Sequence, residues 1–223
     1  MKRTMPLLSV LFGGAVVATT LGFAPLAKSS GRLFDVTVTN LTGGQVFSPV
    51  LLVTHSEGIS LFEPGQPASP ELAALAEDGD NGPLAALLGT TAGVADVESG
   101  TGMIPPGASE TIRVRAEGHA RRLSMATMLV STNDTFAALD SIPLDGPPTS
   151  LYAIAWDAGS EFDSESCIYI PGPPCGSGGV HDPTPAEGFV HVDGGIHGTG
   201  DLDPTVRDWR NPVAKVTIQH ARN

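Results

Sequence analysis

Acidic residues concentrate in one short stretch of this 223-residue chain. Four of them fall within nine residues, at Asp157, Glu161, Asp163 and Glu165. Gly and Ser separate the acids, which is typical of a turn-rich loop, and unpaired carboxylates are too costly to bury in an apolar core. Acids spaced two and four residues apart on a loop suit a hard cation with oxygen ligands, above all calcium. From this segment alone, a solvated acidic loop is the alternative.

The strands that precede the acids indicate which of them could meet. Asp134 follows a predicted strand at residues 123–131, and Asp157 follows another at residues 151–156. If these two strands are neighbours, both carboxylates emerge at strand ends and can converge on one cation. Glu161 can then curl back across the turn that follows Asp157.

We therefore predict a calcium site formed by Asp134, Asp157 and Glu161, with backbone carbonyls and water completing the six to eight oxygens that calcium prefers. Asp163 and Glu165 are second-choice ligands. Such a site would organise the loops at one end of the fold.

Three histidines could form a second kind of metal site. His181, His191 and His197 could form a zinc or copper site if a loop brought them together, but their spacing matches no compact metal motif. Catalytic patterns are weaker: there is no nucleophile-elbow motif, and an acid pair for glycoside hydrolysis at Asp157 and Glu161 is less favoured than metal binding. We expect no enzymatic activity.

Two cysteines, Cys167 and Cys175, bracket a short Pro-rich segment. In an exported chain a pair this close is expected to form one disulfide that pins a local loop.

The regular parts of the chain alternate apolar and polar residues with a period of two, which predicts strands with one buried face. The 27 Gly and 19 Pro fall mostly between these strands. Short strands separated by turns predict an antiparallel sandwich or barrel. One segment has a helical pattern, with Ser69 as N-cap and Pro70 at the first helical position, continuing at 83–88. The predicted strands are residues 34–39, 47–54, 111–116, 123–131, 151–156, 189–192 and 214–219.

The N-terminus indicates export. Lys2 and Arg3 precede an uncharged, largely apolar stretch at 4–27 that ends in small residues. This pattern predicts a secretory signal peptide over residues 1–27, with a retained membrane anchor as the alternative, and one domain over residues 28–223. No later segment approaches the length needed to span a bilayer, so the mature chain is expected to have no stable membrane span. The formal net charge of −12 argues against binding nucleic acid and favours binding cations.

Four segments taken in order resemble the spondin N-terminal domain family in its bacterial secreted form. They are 36–55, which contains VTVTNLT, 128–136 (MLVSTNDTF), 156–161 (WDAGSE), and 188–198 together with 208–214.

The resemblance implies an antiparallel eight-stranded β-sandwich, with a short helical insertion here, and a calcium ion bound at one end of it. It also implies a secreted or periplasmic non-enzymatic module for adhesion or extracellular-matrix-type interaction, with an extracellular protein or glycan of unknown identity as partner. The alternative is an exported zinc or copper metalloprotein that uses the histidines for hydrolase or redox chemistry.

Overall fold

A computed structural model describes residues 31–222. The predicted signal peptide at residues 1–27 lies outside the described residues. Within them, no helix is both long and apolar enough to cross a bilayer. The strands are β1 (Arg32–Asn40), β2 (Leu51–His55), β3 (Val94–Ser99), β4 (Ser109–Ala116), β5 (Arg122–Met128), β6 (Thr135–Pro143), β7 (Thr149–Asp157), β8 (His191–Val192) and β9 (Ala214–His220). The helices are α1 (Pro70–Asp78), α2 (Gly82–Thr90) and α3 (Pro204–Arg207).

The strands form one antiparallel sheet in the order β3-β2-β5-β6-β7-β9-β1-β4, and β8 pairs with β7 off this path. Strand β7 joins the two halves of the sheet, because Thr149–Ala153 pairs with β9 and Ile154–Asp157 shifts to pair with β6. The predicted all-β antiparallel class is therefore confirmed. The prediction of a sandwich is replaced by a coarser description: one continuous sheet that is barrel-like.

The two ends of the sheet approach each other and nearly close the barrel. The amide of Arg115 on β4 donates to Oδ2 of Asp96 on β3 at 2.7 Å. The hydroxyl of Thr54 on β2 donates to the Arg115 carbonyl oxygen at 2.6 Å. Side chain to backbone bonds thus connect edge strand β4 with β3 and β2 at the opposite end of the sheet, although β4 shares no ladder of backbone bonds with either strand.

Apolar and polar side chains alternate along the strands, and the apolar ones fill the interior of the barrel. On β1, Val36 and Val38 are fully buried, while Thr37 and Thr39 face outward and hydrogen-bond across to β4. The same period-two pattern in β4 and β9 contributes the facing apolar side chains. These residues fill one core inside the barrel.

The predicted helical insertion is confirmed between β2 and β3. The Ser69 hydroxyl accepts the Leu72 amide at 3.2 Å, as an N-cap does, and Pro70 opens α1. Leu72 and Leu75 of α1 are fully buried in a second apolar cluster, outside the barrel, which also contains Leu51. The helices therefore cover one outer face of the sheet, which explains why β2 is buried on both faces.

Strand β6 lies between the two strands that precede Asp134 and Asp157 in the sequence analysis. The strands at 123–131 and 151–156 are not neighbours, because β6 pairs with both β5 and β7 and separates them. The first four residues of β6 are buried on both faces, so they lack the alternation that identifies a half-exposed strand.

Cys167 and Cys175 are joined by a disulfide, with their Cα atoms 4.8 Å apart. The loop they close packs on the barrel end, where the Gly172 amide donates to the Val130 carbonyl oxygen at 2.7 Å. The hydroxyl of Ser131 donates to the carbonyl oxygen of Pro173 at 2.5 Å. The disulfide loop is thereby attached to the segment that leads into Asp134.

Candidate metal centre

Asp134 and Asp157 meet because β6 begins where β7 ends. Thr135, the first residue of β6, is paired with Asp157, the last residue of β7. Asp134 immediately precedes Thr135, so both carboxylates emerge at the same end of the barrel. The convergence expected from the sequence is present, although the neighbouring strand is β6 and not β5.

The acidic loop after β7 holds the Asp134 carboxylate in place. Its Oδ2 accepts the backbone amide of Ser160 at 2.7 Å and that of Glu161 at 2.9 Å. Its Oδ1 is buried and has no hydrogen-bond partner among residues 31–222. One oxygen of a fully buried carboxylate is thus fixed by amides and the other is left available to a cation.

Asp157 is 3% exposed, and its Oδ1 accepts the Gly159 amide at 2.6 Å. Gly159 adopts φ +63°, and a Cβ atom there would collide with the backbone of Phe189. Glycine is required at this turn for both reasons. The turn sends the chain back over the barrel end, so that Ser160 and Glu161 reach Asp134.

Asp163 completes a compact group of three carboxylates. One oxygen from each of Asp134, Asp157 and Asp163 lies within 4.8 Å of the other two. Two oxygens bound to one calcium at about 2.4 Å can be at most about 4.8 Å apart. The three oxygens therefore have separations that a single calcium ion could span.

Burial and mutual repulsion disfavour ionisation of this group. Burial raises the pKa of Asp134 to about 6, against the opposing effect of the Glu161 and Ser160 amides. Burial, followed by the charges of Asp134 and Asp163, raises the pKa of Asp157 to about 10. Burial and the charge of Asp134 raise the pKa of Asp163 to about 7. A bound cation would remove the cost of ionising all three carboxylates.

Glu161, the third ligand predicted from the sequence, contributes its backbone amide to this group and sends its carboxylate elsewhere. That carboxylate is grouped with Glu77 and His181. Burial raises the pKa of Glu161 to about 7, opposed by hydrogen bonds from the Asp182 amide and the Asn133 side chain. The structure therefore brings together Asp134 and Asp157 with Asp163, which the sequence ranked as a second choice.

Glu165 has a different local role. Its Oε1 accepts the His197 amide at 2.5 Å and its Oε2 accepts the Thr199 amide at 2.8 Å. Its own amide donates to Oδ1 of Asn133 at 3.2 Å. With both carboxylate oxygens occupied by amides, Glu165 fixes the loop that follows β8.

The three histidines lie in different environments. His181 contacts Glu77, and His191 has its Nδ1 3.6 Å from Oδ1 of Asp157. The Nδ1 of His197 is 3.6 Å from Oε1 of Glu165. Among the described residues, each group able to hold a metal contains at most one histidine. The sequence could not identify Glu77 as a neighbour of His181, because 104 positions separate them and no shared motif links them.

A scan against protein-family models finds no match to this sequence, and a search of curated proteins finds no significant relative. The resemblance to spondin N-terminal domains thus depends on the residues quoted above.

Proposed function

We propose that this protein is an exported, non-enzymatic calcium-binding β module that serves adhesion or matrix-type interaction. The observation that carries the proposal is the buried Oδ1 of Asp134, which has no hydrogen-bond partner in residues 31–222 and belongs to a group of three close carboxylates. A buried carboxylate oxygen left unpaired is costly, and a cation is the partner that best satisfies it.

Calcium is favoured over other cations by the donor set. All three side chains offer carboxylate oxygens, and none offers sulfur. Hard oxygen donors suit calcium or magnesium, and calcium accepts the irregular geometry that loops provide. The ion would be ligated by Asp134, Asp157 and Asp163, with carbonyl oxygens and water in the remaining positions.

The bound ion would have a structural role and not a catalytic one. It would cross-link the start of β6, the end of β7 and the acidic loop, all at one end of the barrel. Loops held in one conformation bind a partner at lower entropic cost. We therefore infer that this end of the barrel contacts an extracellular protein or glycan, as the resemblance to spondin domains implies.

Export is supported by the Cys167–Cys175 disulfide, which persists in oxidising compartments, and by the signal-like N-terminus. The alternative, a zinc or copper enzyme built on His181, His191 and His197, has less support, since these histidines join no common group among the described residues.

Thermal unfolding tests the metal part of the proposal. Calcium added to chelator-treated protein should raise the melting temperature by mass action, and excess chelator should lower it again. The variant Asp157→Asn should lose most of this response. A melting curve that calcium and chelator leave unchanged, on protein shown to be free of metal, would contradict the proposal.

Binding to the native cell surface tests the functional part. Labelled protein should bind the surface with calcium, be released by a calcium chelator, and bind poorly as Asp157→Asn. Equal binding with and without calcium would show that any partner contacts another surface of the protein.

A further inference from the structure

Glu77, Glu161 and His181 form a second group of side chains that could bind a metal. This group lies next to the cluster of Asp134, Asp157 and Asp163. Glu77 is in the last turn of α1, Glu161 is in the loop after β7, and His181 follows the disulfide loop. One ligand atom of each lies within 4.8 Å of the other two. Three segments distant in sequence therefore converge at one point.

The imidazole of His181 is held between carboxylates on both of its nitrogens. Its Nδ1 is 2.5 Å from Oε2 of Glu77 and 3.8 Å from Oε2 of Glu161. Its Nε2 is 3.3 Å from Oδ2 of Asp78. Histidines that bind metals commonly pair their second ring nitrogen with a carboxylate, which fixes the ring and its tautomer. Asp78 is in the position for that role.

Glu161 directs a nearly buried carboxylate at this group. Its side chain is 2% exposed. Its Oε1 accepts the Asn133 side-chain amide at 3.2 Å and the Asp182 backbone amide at 2.8 Å. Its Oε2 accepts no hydrogen bond from residues 31–222 and faces His181. A nearly buried carboxylate thus directs an oxygen without a hydrogen bond at the imidazole nitrogen.

We propose that Glu77, Glu161 and His181 form a second metal site, for a transition-metal ion of the zinc type. One imidazole and two carboxylates are three of the four ligands of a tetrahedral zinc, and water would take the fourth position. An imidazole ligand selects against calcium, which is bound by oxygen donors. Tetrahedral geometry requires ligand atoms about 3.3 Å apart, and the partly exposed side chains of Glu77 and His181 can shift to meet it.

The bound ion would connect the helical insertion to the acidic loop. Glu77 belongs to α1, whereas Glu161 belongs to the loop whose amides hold Asp134. The site is separate from the calcium group, since Glu161 contributes its amide to one and its carboxylate to the other. The inference does not depend on the proposed function, and either can fail alone.

Zinc titration of the purified chelator-treated protein, with a chromophoric chelator as competitor, tests the inference. Wild-type protein should bind one zinc per chain at this site. His181→Gln should weaken zinc binding at least about tenfold through loss of the imidazole ligand. His119→Gln is the matched control: it removes an exposed histidine in the turn between β4 and β5 and should leave zinc affinity unchanged.

Cobalt serves as a spectroscopic readout of the same site. Wild-type protein should show the visible absorption of tetrahedral cobalt, and His181→Gln should lose it. A far-UV circular dichroism spectrum and a cooperative melting curve like those of the wild-type protein, both recorded without metal, verify that His181→Gln is folded. Equal zinc affinity in wild type and His181→Gln would overturn the inference and leave a simple ion pair between His181 and its acidic neighbours. A zinc site without a calcium response would overturn only the calcium proposal.

Discussion

Glu161 donates its backbone amide to Oδ2 of Asp134 across 2.9 Å, while its own carboxylate faces Glu77 and His181. A residue expected from sequence to be a calcium ligand therefore supports the cluster of Asp134, Asp157 and Asp163 through its main chain. Substitution of its side chain should leave that amide in place, which separates the two roles experimentally.

Loss of the side-chain charge should affect calcium affinity differently at Asp163 and at Glu161. Asp163→Asn should weaken calcium binding at least about tenfold, because ligand charge sets calcium affinity in loops of this kind. Glu161→Gln should change it by less than about threefold, since the carboxylate lies outside the group. Calcium titration of both variants checks this, with the exposed Glu117→Gln as control for net charge. A larger loss in Glu161→Gln than in Asp163→Asn would restore Glu161 as a direct ligand.

Without metal, stability should fall as pH rises from about 4. Asp134, Asp157 and Asp163 have pKa values raised to about 6, 10 and 7, above their ordinary value of 3.8. The folded protein therefore binds more protons than the unfolded chain, and the unfolding free energy decreases with pH across this window. Denaturant titrations at pH 5 and pH 8 should show higher stability at pH 5.

Saturating calcium provides the control for the pH prediction. The ion compensates the carboxylate charges, so the difference between pH 5 and pH 8 should shrink, and calcium affinity should rise with pH as protons cease to compete. Asp157→Asn should flatten the pH dependence even without calcium. Metal-free protein that is more stable at pH 8 than at pH 5 would contradict this assignment.

Substitution by alanine should be more destabilising at Gly159 than at another glycine with a similar backbone conformation. Gly159→Ala should cost more than about 1 kcal/mol of unfolding free energy, because positive φ disfavours a side chain. Gly188 is the matched control: its φ is +80°, but an added Cβ would meet nothing within 4 Å. Denaturant unfolding should show a greater loss for Gly159→Ala, since only its Cβ also collides with Phe189. Equal losses would mean that the loop moves to avoid the collision.

The disulfide should stabilise the barrel end. Replacing Cys167 and Cys175 together by serine should cost on the order of 2–3 kcal/mol, the chain-entropy value for a loop this short. Thiol titration of denatured, unreduced wild-type protein should find no free thiols in this pair. Because the loop contacts Val130 and Ser131, the double variant should also bind calcium less tightly. Two titratable thiols per chain in the wild-type protein would contradict the pairing.

The sequence predicts the elements whose patterns are local. Strands β1, β4 and β9 follow from apolar alternation, and α1 follows from Ser69 and Pro70. The sequence pattern does not predict β6, because the first half of this strand is buried on both faces and lacks the alternation of a half-exposed strand. The strand and turn pattern leaves sandwich and barrel open, since the choice between them depends on β7 changing partners from β9 to β6 along its length.

The candidate site was predicted in part for the same reason. Asp134 and Asp157 end up together because each lies at a strand end, which the sequence reveals. Choosing between Asp163 and Glu161 required the path of the loop, which depends on amide bonds from Ser160 and Glu161 to Asp134. Loop paths set by such long-range bonds leave no periodic signal in a sequence.

Direct calorimetric titration of calcium into chelator-treated protein tests the central claim. We expect one calcium per chain bound with measurable heat by the wild-type protein, with Asp157→Asn showing no binding and Glu117→Gln binding as wild type. A wild-type titration without heat, together with a melting temperature unmoved by millimolar calcium, would contradict a calcium site at Asp134, Asp157 and Asp163.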